Sequence, residues 1–206
     1  MSSPSKPVGF WNLPNILTLG RIGMIPIVAV MLWEKPGTFP DPNESIIACI
    51  LFVIAMITDV IDGYLARKYN LGTPMGAYLD PLADKLMVAT ILVMLVPLGW
   101  APAWVVGLLI CREMTITGLR SIASQQGFSL AASPMGKLKT AYQSTALGML
   151  LWHYPLVIPK VNITIDVHSC GIIMLYASVI LALVSGGEYF YLYYRQTKGK
   201  ASAATE

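Results

Sequence analysis

Charged side chains are scarce in this sequence. Asp, Glu, Lys and Arg make up 12% of its 206 residues, whereas 55% are hydrophobic. A soluble domain usually has about 25% charged residues, so the composition excludes an ordinary soluble protein. A surface with so few charges favours lipid as its surroundings, and the sequence therefore predicts a membrane protein.

Cysteine and histidine are also rare. Cys49, Cys111 and Cys170 are dispersed in or beside apolar segments, which excludes a disulfide framework and a cysteine metal site. His153 and His168 lack the spacing of a zinc site, and we expect them in a loop region. The net charge of +3 is accompanied by no nucleic-acid-binding motif, so we expect no nucleic-acid partner.

Long apolar runs, by contrast, recur along the whole chain. A helix rises about 1.5 Å per residue, so roughly 20 residues cross a hydrocarbon core of about 30 Å. The runs of this kind are Leu13–Trp33, Ile46–Leu65, Tyr78–Leu98, Trp104–Ile122, Leu138–Ile158 and Gly171–Tyr194. The sequence thus predicts an all-α polytopic membrane protein, a six-transmembrane-helix bundle forming a single domain over residues 1–206. Residues 1–12 and 195–206 are its polar ends, and we interpret the first run as a retained helix rather than a signal peptide.

Positive charges predict the orientation of this bundle. Most of them flank one side: Lys6, Arg67, Lys68, Lys137, Lys139, Arg195, Lys198 and Lys200. The opposite connections, Glu34–Glu44 and the segment around His153–His168, contain only Lys35 and Lys160. The positive-inside rule therefore places both termini of this multi-pass protein in the cytoplasm.

Four aspartates interrupt the predicted second and third spans. Asp59 and Asp62 are three residues apart, and Asp80 and Asp84 are four apart, so each pair shares one face of its helix. Asp59 and Asp84 each lie about 12 Å along the helix from the connecting turn. Because neighbouring spans run antiparallel, we expect the two pairs to meet at one depth near the cytoplasmic surface.

Four adjacent carboxylates need cations to compensate their charge. Oxygen ligands without histidine or cysteine favour Mg²⁺, Mn²⁺ or Ca²⁺ over zinc, and four of them suffice for two ions. Alternatively, the acids have a purely structural role, in which they cap helices or pair with Arg67, Lys68 and Lys85. Such a role explains the presence of one or two of the acids but not of all four. A cation transporter would also use intramembrane acids, but it predicts acids spread across the bilayer.

Small residues accompany the acids and allow a phosphate-bearing ligand or another backbone to approach closely. They are Gly63, Ala66, Gly72 and Gly76. Arg67 can bind a diphosphate or serve only as a positive-inside anchor. Pro81 either opens a helix with Asp80 as its cap or kinks a longer helix.

Polar residues also interrupt the first span. We expect Asn15, Thr18 and Arg21 to face the interior of the bundle, where they contact a nucleotide or order the site. Thr73, in the turn before the third span, is expected to act in the same way.

A second polar cluster lies between the fourth and fifth spans. Arg112, Arg120, Lys137 and Lys139 crowd this connection and can bind the phosphate of a second, anionic substrate. Alternatively, they only set topology or bind lipid headgroups, and Arg112 pairs with Glu113.

The segment from Asp59 to Lys85 resembles the signature of the CDP-alcohol phosphotransferase family, D-x-x-D-G-x-x-A-R followed by G-x-x-x-D-x-x-x-D. The matching residues, without departure, are Asp59, Asp62, Gly63, Ala66, Arg67, Gly76, Asp80 and Asp84. Members of this family are membrane enzymes that use an alcohol to displace CMP from a CDP-linked lipid. The resemblance implies that the four aspartates hold two Mg²⁺ or Mn²⁺ ions and that Asp84 is also the base for the attacking hydroxyl. It further implies that Gly63, Ala66, Arg67 and Gly76 surround the CDP group.

Two further segments resemble the bacterial phosphatidylglycerophosphate synthase subfamily. They are Leu13–Pro26 and Arg112–Arg120, the latter followed by Met135–Gln143. This resemblance implies transfer of a phosphatidyl group from CDP-diacylglycerol to sn-glycerol 3-phosphate, with inositol phosphate or another alcohol as the alternative acceptor. The acceptor, the preferred ion, the acyl-chain preference and the oligomeric state stay open, since small residues suit a homodimer and packing within one chain equally.

Overall fold

The computed structural model describes residues 12–33, 41–69, 73–131, 133–158 and 163–203. Its elements, in chain order, are α1 (Leu13–Met31), α2 (Pro42–Tyr69), α3 (Pro74–Leu95), α4 (Ala103–Gln125), α5 (Pro134–Trp152), β1 (Leu156–Ile158), β2 (Ile163–Ile165) and α6 (Val167–Ala203). The chain divides into two compact units, Met1–Leu98 and Gly99–Glu206, which are described separately. The prediction of an all-α chain with six helices is confirmed, apart from one short hairpin.

Three helices begin at side-chain caps that are visible in the sequence. Asn12, Thr73 and Ser133 each accept a hydrogen bond of 3.0 Å from the backbone N–H three residues further on. A proline lies in the first two positions of each of these helices, where its missing N–H is tolerated. The starts of α1, α3 and α5 are therefore set by local sequence.

The ends of the second and fifth predicted spans differ from the structure. Helix α2 begins at Pro42, inside the predicted loop Glu34–Glu44, because the carboxylate of Asp41 accepts a hydrogen bond of 3.1 Å from the N–H of Asn43. Residues 34–40 of that loop lie outside the described residues. The fifth span was predicted to reach Ile158, but α5 ends at Trp152, since the following His153 has a φ of 56° and β1 then pairs antiparallel with β2.

The predicted polar ends have different outcomes. Helix α6 continues to Ala203, so most of the segment 195–206, predicted to be a tail, is helical. Good helix-forming residues such as Arg195, Gln196 and Lys198 let the helix continue after the apolar sequence ends. Of the predicted segment 1–12, only Asn12 lies within the described residues.

Each unit is organised around one helix. In the first unit α1 packs against both α2 and α3, and buried side chains such as Val28, Phe52 and Ile91 form its core. In the second unit α6 packs against α4 and α5. A Cβ atom at Gly171 would lie 3.1 Å from Leu150 Cγ, a tight contact, so glycine favours the close approach of α5 and α6.

The outer surface of the helices is apolar. Val30 is 72% exposed and Ile173 is 68% exposed, together with many other large apolar side chains. Among the described residues, Pro42–Leu65 and Val167–Lys198 are long and apolar enough to cross a membrane. These features support membrane association, whereas the six-span bundle and the cytoplasmic termini stay predictions.

Candidate active site

Helix α1 presents a polar face made of three buried side chains. Asn15, Thr18 and Arg21 are spaced three residues apart, so they follow one another along the same side of the helix. All three are buried. The prediction that they face the interior is confirmed, and the polar face of α1 orders the rest of the site.

Arg21 joins the two aspartates of α2. Its Nη1 atom lies 2.5 Å from Asp59 Oδ1, and its Nη2 atom lies 3.0 Å from Asp62 Oδ2. The side chains of Arg21 and Asp62 are 2% and 3% exposed, whereas that of Asp59 is 38% exposed. The spacing correctly placed both acids on one face of α2, and Asp59 is the more exposed of the two carboxylates.

The other two residues of the polar face contact α3. Thr18 Oγ1 donates a hydrogen bond to Asp80 Oδ1. Asn15 Nδ2 donates one of 3.1 Å to Thr73 Oγ1. A Cβ atom at Gly76 would overlap the side-chain oxygen of Asn15, so the close approach expected at this glycine is to a side chain of α1.

Pro81 lies inside α3, which begins at Pro74 with Thr73 as its cap. The alternative in which Pro81 opens a helix capped by Asp80 is therefore wrong, and the longer helix is present. The Thr73 cap is preferred because its hydroxyl accepts the Gly76 N–H, and this places Asp80 more than one turn inside the helix.

The acidic pairs on α2 and α3 come together along α1, which packs against both helices. Arg21 holds the pair on α2, and Thr18 holds Asp80 on α3, with Asp84 one turn further along and partly buried. Within the described ranges, no three Asp, Glu, His or Cys side chains converge closely enough to hold one ion. The carboxylate oxygens nevertheless suit a hard cation, and the guanidinium between Asp59 and Asp62 shows that this pair accommodates a positive charge.

Some predicted CDP-binding residues are only partly described. Gly63 follows Asp62 on α2, and Ala66 and Arg67 lie on the same helix, but the side chains of Ala66 and Arg67 lie outside the described part. Gly72 is also outside it. Their roles in binding CDP stay predictions.

In the second unit, Glu113 is the centre of an ionic network. Arg112 donates hydrogen bonds to Glu113 Oε1 at 2.8 Å, Ser185 Oγ at 2.6 Å and the carbonyl of Ala182 at 3.2 Å. The buried Lys139 Nζ donates to the same oxygen of Glu113. The expected alternative, pairing of Arg112 with Glu113, is confirmed as a contact, and the network joins α4, α5 and α6.

Arg120 and Lys137 lie in different surroundings from this network. The Nε and Nη2 atoms of Arg120 each lie 3.2 Å from the carbonyl oxygen of Leu130, and its guanidinium carbon is 5.5 Å from the ring centre of Tyr189. The hydroxyl of Tyr189 in turn accepts the N–H of Ser133 at 3.1 Å. Lys137, in the first turn of α5, is exposed. Arg120 and Lys137 are thus the cations of this group that lie outside the Glu113 network.

Sequence reasoning missed several polar residues of this unit. Gln143 is buried, and its Nε2 atom has no hydrogen-bond partner among the described residues; the same holds for Oε2 of Glu188. Glu113 and Glu188 are acids within predicted spans, so the rule that singled out the four aspartates also applied to them. Ser185 carried no such signal, because serine is common in helices that span membranes.

A helical fold with an apolar outer surface and an acidic site held together by one polar helix face is typical of a membrane-associated protein. Comparison with known proteins specifies it further. The model of the CDP-alcohol phosphatidyltransferase family matches residues 11–184. The chain therefore belongs to the CDP-alcohol phosphatidyltransferase family and is a transferase, as the resemblance in the signature predicted.

Individual relatives agree with this assignment. The chain is 41% identical over 189 residues to a Bacillus subtilis protein named CDP-diacylglycerol--glycerol-3-phosphate 3-phosphatidyltransferase, covering 87% of this chain and 94% of that protein. A protein of the same name from Rickettsia bellii is 35% identical over 179 residues, covering 87% and 93% of the two chains. A third, from Wigglesworthia glossinidia brevipalpis, is 35% identical over 189 residues, covering 89% and 96%. The similarity thus extends over nearly the whole length of these relatives.

Proposed function

We propose that this protein transfers the phosphatidyl group of CDP-diacylglycerol to the primary hydroxyl of sn-glycerol 3-phosphate, forming phosphatidylglycerophosphate and releasing CMP. The observation that carries the proposal is the complete acidic signature, three of whose aspartates are held by α1, in a chain 41% identical to a transferase with this name. The acceptor oxygen forms a bond to the phosphatidyl phosphorus, and the bond from that phosphorus to the oxygen of CMP breaks.

The four aspartates have distinct roles in this reaction. Asp59, Asp62, Asp80 and Asp84 would hold two divalent ions, Mg²⁺ or Mn²⁺, which supply charge neutralisation for the diphosphate and for the leaving CMP. Asp84 also accepts the proton of the attacking hydroxyl, because a carboxylate beside the nucleophile is a suitable general base. Asp80 is positioned for its role by the hydrogen bond from Thr18.

The CDP group is expected to lie against the residues that surround the acids. These residues are Asn15, Thr18, Gly63, Ala66, Arg67, Thr73 and Gly76. Asn15 and Thr73 hold each other at the start of α3, so this side of the nucleotide site is formed before substrate binds. Preorganised polar groups of this kind reduce the free energy needed to order the site around the substrate.

The membrane location follows from the surface and the charges. We place the protein in a bacterial inner membrane as a six-span bundle with both termini and the active site at the cytoplasmic side. The exposed apolar side chains of both units and the bacterial relatives support this placement. The acyl chains of CDP-diacylglycerol would remain in lipid, while the water-soluble acceptor arrives from the cytoplasm.

The acceptor is proposed from the charge of the second unit. Arg112 and Arg120 on α4 and Lys137 and Lys139 on α5 carry four positive charges, of which the carboxylate of Glu113 offsets one. The remaining positive charge favours an alcohol that carries a phosphate. Glycerol 3-phosphate is preferred over inositol phosphate because of the names of the relatives. Serine, which carries no phosphate, fits this charge less well.

The proposal is tested with purified protein in detergent, supplied with CDP-diacylglycerol and radiolabelled glycerol 3-phosphate, inositol phosphate or serine. We expect efficient conversion of glycerol 3-phosphate alone, loss of activity with a chelator and recovery with Mg²⁺ or Mn²⁺. Formation of no CMP with any acceptor would contradict the transferase reaction, whereas preference for inositol phosphate would reassign the acceptor. A cation flux assay in liposomes, expected to show no flux, excludes the transporter alternative.

Replacement of Arg120 by Gln is expected to raise the KM for glycerol 3-phosphate by about tenfold, since a charge-assisted hydrogen bond to phosphate is lost. The KM for CDP-diacylglycerol should change by less than about twofold. Because Arg120 also contacts Leu130 and Tyr189, Lys137→Gln serves as a second variant at an exposed position. Lys198→Gln removes an exposed charge on α6 and is the control; equal increases of both KM values would contradict the acceptor assignment.

A further inference from the structure

Arg21 occupies a position that a metal ion would also favour. Its guanidinium lies between Asp59 and Asp62, at 2.5 and 3.0 Å from one oxygen of each. These two acids belong to the set that the proposed function assigns to divalent ions. A buried guanidinium therefore already supplies positive charge to two of the proposed ligands.

The contacts of Arg21 leave one of its donors unsatisfied. Its Nε atom is buried and has no hydrogen-bond partner in the described part of the chain. An unpaired buried donor is unfavourable, so Nε is a donor that a further acceptor, such as a phosphate oxygen, can satisfy. Nε and a terminal nitrogen together form the edge of a guanidinium that binds two oxygens of a phosphate.

A divalent ion and the guanidinium disfavour each other at this pair of acids. An ion held by Asp59 and Asp62 would lie close to the positive charge of Arg21, whose side chain is buried. Two cations at such a distance repel each other strongly. The side chain of Asp59 is 38% exposed, so an incoming ion can reach this carboxylate and compete with Arg21 for it.

We infer that Arg21 is an exchangeable counter-cation of the active site. In the metal-free protein it neutralises Asp59 and Asp62; when divalent ions bind these acids, Arg21 releases them and binds the diphosphate of the CDP-lipid instead. The inference rests on the proposed function and assigns to Arg21 a role in positioning the substrate. A residue that only orients the two carboxylates as ligands would have the opposite effect on metal affinity, because outer contacts of that kind strengthen metal binding.

The affinity for Mn²⁺ distinguishes these two roles. Isothermal titration of the purified full-length protein with Mn²⁺ is expected to show about tenfold tighter binding by Arg21→Gln than by the wild type, since a competing charge is removed. Without metal the variant should unfold at a lower temperature, because Asp62 is left buried and unpaired, and Mn²⁺ should raise this temperature more than in the wild type. Arg195→Gln, which removes an exposed arginine of α6, is the matched control and should leave both values unchanged.

Binding of CDP tests the second half of the inference. With Mn²⁺ present, Arg21→Gln should bind CDP about tenfold more weakly than the wild type, since a bidentate contact with phosphate is lost. If Arg21→Gln does not fold without metal, Arg21→Lys gives a second test of this half: it keeps the positive charge but cannot form a bidentate contact with phosphate, so it should also bind CDP more weakly than the wild type.

The possible results separate this inference from the proposed function. Unchanged or weaker Mn²⁺ binding by Arg21→Gln, or unchanged CDP binding by the Arg21 variants, would overturn the exchange while leaving the transferase reaction intact. A wild-type protein that binds no Mn²⁺ would overturn the proposed metal site and the exchange together.

Discussion

Replacement of Asp84 by Asn is expected to lower the turnover number at least about 100-fold, with glycerol 3-phosphate and CDP-diacylglycerol both saturating. The substitution keeps the shape of the side chain but removes the base that accepts the hydroxyl proton, and loss of a general base typically reduces the rate by about 10² to 10⁴. It also weakens a proposed ligand of the divalent ions. The release of CMP measures the effect.

The control for Asp84→Asn is the same change at Asp166, an exposed acid that precedes α6 and accepts hydrogen bonds from the N–H and the hydroxyl of Ser169. Asp166→Asn should retain nearly full turnover. A value for Asp84→Asn above about a third of the wild-type value would show that this carboxylate is not the base. The thermal unfolding temperature of both variants checks that any loss is not caused by unfolding.

Replacement of Glu113 by Gln is expected to reduce the free energy of unfolding by about 3 kcal/mol or more, because it leaves two cations without their common partner. Lys139 is buried and donates to Glu113, and Arg112 lies 2.8 Å from the same oxygen. Thermal or denaturant unfolding in detergent measures the change. The effect is expected on stability because Glu113 joins these two cations, whatever its role in the reaction.

Two comparisons make the Glu113 prediction specific. Glu44→Gln, at an exposed position in the first turn of α2, should change the free energy of unfolding by less than about 1 kcal/mol. Combining Glu113→Gln with Lys139→Met should recover part of the loss, because replacing both members of a buried ion pair is less harmful than removing one. Equal loss in the single and double variants would mean that Lys139 and Glu113 do not interact.

Most of the acidic site was predictable because its signals are local. The spacing of Asp59 and Asp62 places them on one helical face whatever surrounds the helix. Likewise, three polar residues in the apolar run of α1 indicated a buried polar face, and Asn15, Thr18 and Arg21 form one. The family followed from the same segment, because eight spaced positions match its signature and the family model covers residues 11–184.

The ends of the helices were less predictable, since they depend on weaker signals. Asp41 caps α2 within a segment whose prolines and glycine indicated a loop. The end of α5 depends on the positive φ of His153 and on pairing of β1 with β2. An apolar segment such as Leu156–Ile158 suits a membrane helix and a strand equally, and only its pairing partner distinguishes them.

The sequence alone determined the aspartate signature by which the family is recognised, and its apolar runs predicted the six helices. Tertiary structure decided which side chain each charge meets. Arg21 bonds to Asp59 across 38 positions of sequence, and Lys139 bonds to Glu113 across 26. Helical periodicity fixes the face on which a residue lies but not the helix that packs opposite that face, so such partners are known only once the helices are assembled.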